Sequence, residues 1–423
     1  MQGCAVKTCS AVAALLVCAS LSNANAQSSA GAPAESASPR LQAVDTAIQT
    51  QISRKMWPGA VTLIARDGKI IHFSAQGSLD KDSTRPMPKD AIFRIFSMTK
   101  PIISVAAMML VERGQLRLDD PITDYVPELK PLKAFSAPGQ EPVALARPVT
   151  VQDLMRHTSG FTQKFLGMRP KEVADAYAEK DVETFKQDLG PDEVLTRLAA
   201  IPLAFQPGTT FEYGMSTDVL GIILERITNK RLDVLVRELV LSPLGMADTG
   251  FNVEPSKANR LADAFDSDPL KAALWGWVRV DADPGARMRL ASAGMVSTAE
   301  DYFKFAQMIL NRGELNGVRL LSPKTVDFML SDHIVGMAGS PAAIAGPGYR
   351  FGLGFAVRTQ PGMAVTPGSV GDANWSGVGG TAFTVDPQER IVGVIMVQAP
   401  FNRIHARNLF KNLVYANAFG PRP

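Results

Sequence analysis

The chain contains only three cysteines, Cys4, Cys9 and Cys18, all near the N-terminus. The segment that holds them has the order of a secretory signal: a lone Lys7, an apolar run from Ala11 to Leu21, then Ala24-Asn25-Ala26 before Gln27. We therefore expect residues 1–26 to be removed on export, and the mature protein to be periplasmic or secreted. It would then have no cysteine, which excludes a disulfide, a thiolate metal site and a cysteine nucleophile. The apolar run is shorter than the ~20 residues needed to cross a bilayer, so no membrane span is expected once the signal is gone. Lipidation of Cys18 is disfavoured by the bulky Val17 before it.

Other absences narrow the chemistry. The four histidines, His72, His157, His333 and His405, are scattered, with no H-x-x-x-H spacing and no acidic neighbour at ligand spacing. No metal or other cofactor is expected from such a pattern. Neither charge sign dominates, at 44 Lys plus Arg against 41 Asp plus Glu, and no basic run carries interleaved aromatics. Nucleic acid and anionic membrane surfaces are thereby disfavoured, leaving a small molecule as the expected partner. A G-x-S-x-G elbow is missing too, which argues against an α/β-hydrolase triad.

What remains is ordinary globular composition, 46% hydrophobic and 20% charged over 423 residues. Residues 27–40, rich in Ser, Ala and Pro, read as a flexible leader, and the catalytic domain is expected over 41–420. Leu41, Val44, Ile48 and Ile52 recur at helical spacing. Ala60–Ala65 and Ile70–Ser74, joined across Asp67-Gly68, predict a hairpin. Ser97–Arg113 is apolar nearly all round, with Pro101 near its start and Gly114 just past its end, which predicts a buried helix. Residues 120–335 carry mostly helical patterns. Phe351–Arg358, Ala382–Asp386 and Ile391–Gln398 predict strands, and Ala406–Ala418 a closing helix. Strand segments at both ends of the chain imply one sheet built from about 41–95 and 345–420. A helical lobe of about 96–344 lies between them in sequence, and a cleft between lobes would hold the ligand.

Ser97-Met98-Thr99-Lys100 is an S-x-x-K pattern at the first turn of that buried helix. Residues three apart share a helix face, so the Ser97 hydroxyl and the Lys100 amine can meet. A serine needs a base to become a nucleophile, and burial pushes a lysine towards its neutral, basic form. Alone the pattern is weak, because an N-capping serine followed by a solvated lysine looks identical.

The surrounding residues strengthen it. Phe93-Arg94-Ile95-Phe96-Ser97-Met98-Thr99-Lys100-Pro101 is followed by Leu110-Val111-Glu112-Arg113-Gly114, by His157-Thr158-Ser159-Gly160 and by Gln206-Pro207-Gly208-Thr209 before Tyr213-Gly214-Met215-Ser216. Pro243-Leu244-Gly245-Met246, Gly294-Met295-Val296-Ser297-Thr298 and Trp375-Ser376-Gly377-Val378-Gly379-Gly380-Thr381 complete an ordered series. The series resembles serine β-lactamase-like hydrolases over roughly residues 55–400, and is most similar to family VIII carboxylesterases and related fungal acyltransferases. The resemblance implies a β-lactamase or penicillin-binding-protein-like α/β fold with an antiparallel sheet flanked by helices. It also implies Ser97 as nucleophile, Lys100 and Tyr213 as its proton-handling pair, and the backbone amides of Ser97 and Val378 as the oxyanion hole.

Two departures from the β-lactamase pattern bear on the substrate. Trp375-Ser376-Gly377, the expected substrate-binding strand, has tryptophan where β-lactamases carry the lysine of K-T-G, and Met215 replaces an asparagine. Losing that cation favours small neutral esters over carboxylate-bearing β-lactams. The alternatives are a β-lactamase, a D-amino-acid peptidase, or a non-catalytic penicillin-binding-like sensor. His157, in a Thr-Ser-Gly turn, reads as structural, and Trp275 and Trp277 as either cleft-lining or packing residues.

Overall fold

A strand covered on both faces needs apolar residues at every position, whereas one with a wet face alternates. Ile391-Val392-Gly393-Val394-Ile395-Met396-Val397 is of the first kind, as is most of Ala60–Ala65. In the computed structural model, which describes residues 39–419 except 81, 83, 164–169, 183–188 and 279–287, these two segments pair inside the sheet, each with a neighbour on its other side. The expected signal segment and residues 27–38 of the leader lie outside the described residues. Pro39 and Arg40, assigned to that leader, instead begin helix α1, Pro39–Ser53.

Strands β1 (Gly59–Arg66) and β2 (Lys69–Gly77) form the N-terminal hairpin. Asp67 and Gly68 both have positive φ, 52° and 76°, the geometry of a two-residue turn whose twist matches that of the strands. The C-terminal part supplies β3 (Tyr349–Phe351), β4 (Ala356–Arg358), β5 (Ala373–Ser376), β6 (Ala382–Asp386) and β7 (Ile391–Val397). Together they make a seven-stranded sheet in the order β2-β1-β7-β6-β5-β4-β3. Every neighbouring pair is antiparallel, with Ala60 opposite Val397 and Arg66 opposite Ile391 in the β1–β7 pair. The segment 351–358, expected as one strand, is two. Gly352-Leu353-Gly354 folds it back, and Gly354 at φ 90° sits where a Cβ would strike the side chain of Ser104.

The two faces of the sheet feed different clusters. Val61, Leu63, Val394 and Met396 join the main core with helix α2, Thr99–Glu112, whose residues 99–110 are all buried. Ala60, Ile64, Ile395 and Val397 point the other way, onto Val44 and Ile48 of α1 and Ala406, Phe410 and Val414 of the C-terminal helix, Arg403–Asn417. Period two thus becomes two cores. The helices Ser216–Thr228 (α3) and Ala299–Leu310 (α4) pack into the main core, and Arg403–Asn417 is α5. The antiparallel sheet from both chain ends, its flanking helices and the helical middle match the expectation from sequence. No helix among the described residues is long and apolar enough to cross a membrane.

Candidate active site

Ser97 does not sit in the α-helix proper. It is the middle residue of a 3₁₀ turn, Phe96–Met98, that leads into α2. Phe96 before it has φ 44°, a left-handed conformation costly for a residue with a bulky side chain. The surroundings hold it there. Ile95 N–H donates to Met295 O at 3.0 Å, Tyr302 Oη to Met98 O at 2.9 Å, and Met295 N–H to Thr99 Oγ1 at 3.2 Å. The result is a serine half-exposed at the end of an otherwise buried segment.

Lys100, 3% exposed, donates from Nζ to Ser97 Oγ at 3.4 Å and to Ser292 O at 2.8 Å. Its ammonium nitrogen lies 4.6 Å from the centroid of the Tyr213 ring. Tyr213 is 5% exposed and its hydroxyl has no hydrogen-bond partner among the described residues. A buried phenol left unsatisfied is costly, and active sites are where such groups are retained. The Ser292 peptide links Lys100 to a further carboxyl, because Ser292 N–H donates to Asp218 Oδ1 at 3.0 Å. Burial pushes the Asp218 carboxyl above its ordinary range, and the charge of Lys100 pulls it back down.

The motifs that flank Tyr213 turn out to be its mount. Glu212 N–H donates to His157 O at 2.8 Å and Gly208 N–H to Thr158 O at 2.7 Å, so the H-T-S-G turn and the segment entering Tyr213 are stitched together. Gly214 is small because a Cβ there would strike the Thr162 backbone. The His157 ring lies 4.7 Å from that of Tyr213, and burial first, then the charge of Lys100, hold it well below its ordinary pKa, uncharged. Asp153 anchors the turn. Its carboxylate accepts from Arg147 at 2.6 Å, Arg156 at 2.9 Å and Thr158 at 2.8 Å.

Across from the serine, the β5–β6 turn approaches the Ser97 loop directly. Thr381 Oγ1 donates to Ile95 O at 3.4 Å, a Cβ on Gly377 would meet that same carbonyl, and one on Gly379 would meet the Phe96 ring. Ser97, Tyr213, Ser376, Gly377 and Val378 line one cleft, about 480 Å³ including its open mouth. Its other walls are Ala343 and Ile344 from the short helix Ala342–Ala345, and Arg403, Ile404 and Arg407 from α5. Ser97 and Val378, the expected oxyanion-hole residues, therefore face the same space.

Trp375 is placed differently from expectation. It is 1% exposed and packs behind the tyrosine, 5.6 Å from the Tyr213 ring and 5.2 Å from that of Phe351, with no share in the cleft wall. Alternation along β5 explains it: Trp375 points into the main core, while Ser376 beside it faces the cleft. Trp275 is a packing residue. It donates to Asp263 Oδ1 at 2.7 Å and stacks near Phe96 and Arg94.

The family model described as Beta-lactamase matches residues 44–415. The chain belongs to the beta-lactamase family. Among relatives, it is 35% identical to Protein Rv1367c of Mycobacterium tuberculosis over 352 residues, covering 80% of this chain and 85% of that one. It is also 35% identical to Esterase EstB of Burkholderia gladioli over 359 residues, covering 81% and 86%. Among solved structures it resembles EstCE1, described as a hydrolase with promiscuous acyltransferase activity. That match has a TM-score of 0.74 at 28% identity and covers 89% of this chain and 98% of the other.

Within this beta-lactamase-family frame, sequence reasoning named the serine, lysine and tyrosine but missed Asp218 and the two arginines of the cleft. Asp218 lies five residues after Tyr213, and its sequence signal is an acidic residue at the head of the apolar run Val219-Leu220-Gly221-Ile222-Ile223-Leu224. Arg403 and Arg407 stand one turn apart on α5. Nothing local ties them to a serine some three hundred positions earlier.

Proposed function

We propose that this protein is an exported serine carboxylesterase that cleaves small esters through an acyl-enzyme on Ser97. The observation that carries the reading is the arrangement of Lys100 Nζ, 3.4 Å from Ser97 Oγ and 4.6 Å from the Tyr213 ring, with the Tyr213 hydroxyl unpartnered among the described residues. In this reading Ser97 Oγ attacks the ester carbonyl as its proton passes to the Tyr213–Lys100 pair. The amides of Ser97 and Val378 receive the oxyanion, each donor contributing on the order of 3 kcal/mol. The pair returns the proton to the departing alkoxide, then takes one from the attacking water and passes it to Ser97 Oγ as the acyl–oxygen bond breaks and the acid leaves. The 35% identity to Esterase EstB supports an ester substrate. The likeness to EstCE1 supports a second use of the same acyl-enzyme, transfer to an alcohol in place of water.

The expected preference for uncharged esters assumed that Trp375 leaves the cleft without a cation. That premise fails, because Trp375 is turned into the core and α5 brings Arg403 and Arg407 to the cleft wall. Small size remains part of the proposal.

The test is turnover of a chromogenic acyl ester and of a chromogenic cephalosporin by wild type and Ser97→Ala. Ester hydrolysis that vanishes in a folded Ser97→Ala supports the reading. Cephalosporin hydrolysis with esters barely touched would favour a β-lactamase or peptidase, and labelling of Ser97 without any turnover would favour a sensor.

A further inference from the structure

Two arginines stand on one turn of α5 and line the cleft that holds Ser97. Arg407 spends its known hydrogen bonds on neutral oxygens: one guanidinium nitrogen donates to Ile344 O and to Ser376 Oγ, the latter at 3.3 Å. Arg403 donates to Pro400 O at 2.8 Å. Asp268 lies near enough to favour the Arg403 charge, but its carboxylate is committed to the backbone amides of Phe401 and Leu270. Among the described residues neither arginine makes a salt bridge, and burial lowers the pKa of both. One turn further on, by contrast, Lys411 is paired with Asp372 at 2.8 Å, and Asp372 is shared with Arg358 at 2.6 Å. Among the described residues the fold thus pairs Lys411 with a carboxylate but gives neither cleft arginine an ion pair.

Half-buried guanidinium groups without an anion are costly, and two of them four residues apart repel one another. An arginine keeps its proton throughout the working pH range, so the cost is not relieved by neutralisation. A ligand carboxylate would relieve it, accepted in the two-pronged geometry that guanidinium favours. The rest of the cleft wall there, Ile344, Ile404 and Val378, is apolar and suits a short hydrocarbon spacer.

We infer that the preferred substrate is a small ester bearing a free carboxylate, with its reacting carbonyl at Ser97 and its carboxylate against Arg403 and Arg407. This rests on the esterase reading above and specifies its substrate class.

The test uses two matched pairs. One carries the charge on the acyl side, mono-4-nitrophenyl glutarate against its methyl ester. The other carries it on the alcohol side, 3-acetoxybenzoate against methyl 3-acetoxybenzoate. The expected result is a higher kcat/KM for the anionic member in at least one pair. That ratio should fall by about 10- to 100-fold in Arg407→Gln, as for loss of a charge-assisted contact. A preference for the neutral member in both pairs, or a ratio unchanged in Arg403→Gln and Arg407→Gln, would overturn the inference. Calorimetric binding of glutarate against glutaramide to the wild-type protein needs neither a variant nor turnover. Tighter glutarate binding supports the inference and equal binding overturns it. Failure of the esterase reading would show separately, as hydrolysis that survives Ser97→Ala or as no hydrolysis in either pair.

Discussion

Lys100 is the residue through which the site is connected. Its ammonium group reaches the serine, the Ser292 carbonyl and the face of Tyr213, and it acts on the buried Asp218 carboxyl beyond. If Lys100 and Tyr213 move one proton between them, each single loss removes most of the function. Lys100→Ala and Tyr213→Phe should each lower kcat by at least ~100-fold, and the double variant should lose far less than the product of the two. Steady-state kinetics of the three variants checks this, and multiplicative losses would mean separate roles. Trp375 belongs to the same scale. Because it backs the tyrosine, Trp375→Ala should lower kcat through a displaced Tyr213 while leaving the cleft's selectivity between matched esters little changed. The grouping of Ser97, Lys100 and Tyr213 in one place was legible in the sequence because their motifs are local and chemically specific. The orientation of Trp375 was not. A motif position says which residue replaces a lysine but not which face of the pleat the side chain takes.

At the scale of elements, the turns that position the site are more constrained than the strands and helices they join. The hairpin β1–β2 and helix α2 could be read from period and turn residues, since each is stabilised by its own pattern. The break of 351–358 into β3 and β4 could not, because it is set by the close approach of Gly354 to Ser104 on α2. The H-T-S-G turn gives a pH-dependent case. Burial would raise the Asp153 carboxyl, but hydrogen bonds from Arg147, Arg156, Thr150 and Thr158 outweigh it and bring its pKa to about 2. A folded value below the ordinary 3.8 means that the ionised form stabilises the fold. That contribution, about 2 kcal/mol, is complete above pH ~4 and lost as pH falls towards 2. Asp153→Asn should therefore destabilise the protein at neutral pH by about 2 kcal/mol or more and flatten this part of the acid limb. Urea midpoints across the acid range decide it, and parallel curves for variant and wild type would remove Asp153 as the anchor.

For the whole molecule, the joining of both chain ends in one sheet was visible as strand texture at the termini with helical texture between. The two clusters on either side of that sheet follow from the same alternation, with α1 and α5 closing one face. What the sequence could not show is that α5 closes the active-site cleft as well, since its arginines meet Ser97 only after the sheet has formed. The proposed export is tested at this scale: a mature chain starting near Gln27 should give no thiol on titration after denaturation, and a measurable thiol would show that the signal segment is retained. The account as a whole depends on Ser97 being acylated. The most direct measurement is mass spectrometry of the protein after reaction with an activated alkyl phosphonate, with peptide mapping of the adduct. The account predicts one phosphonyl group, on Ser97, in step with loss of esterase activity and absent from Ser97→Ala. Inactivation with the adduct on another residue, or full activity in a folded Ser97→Ala, would contradict it.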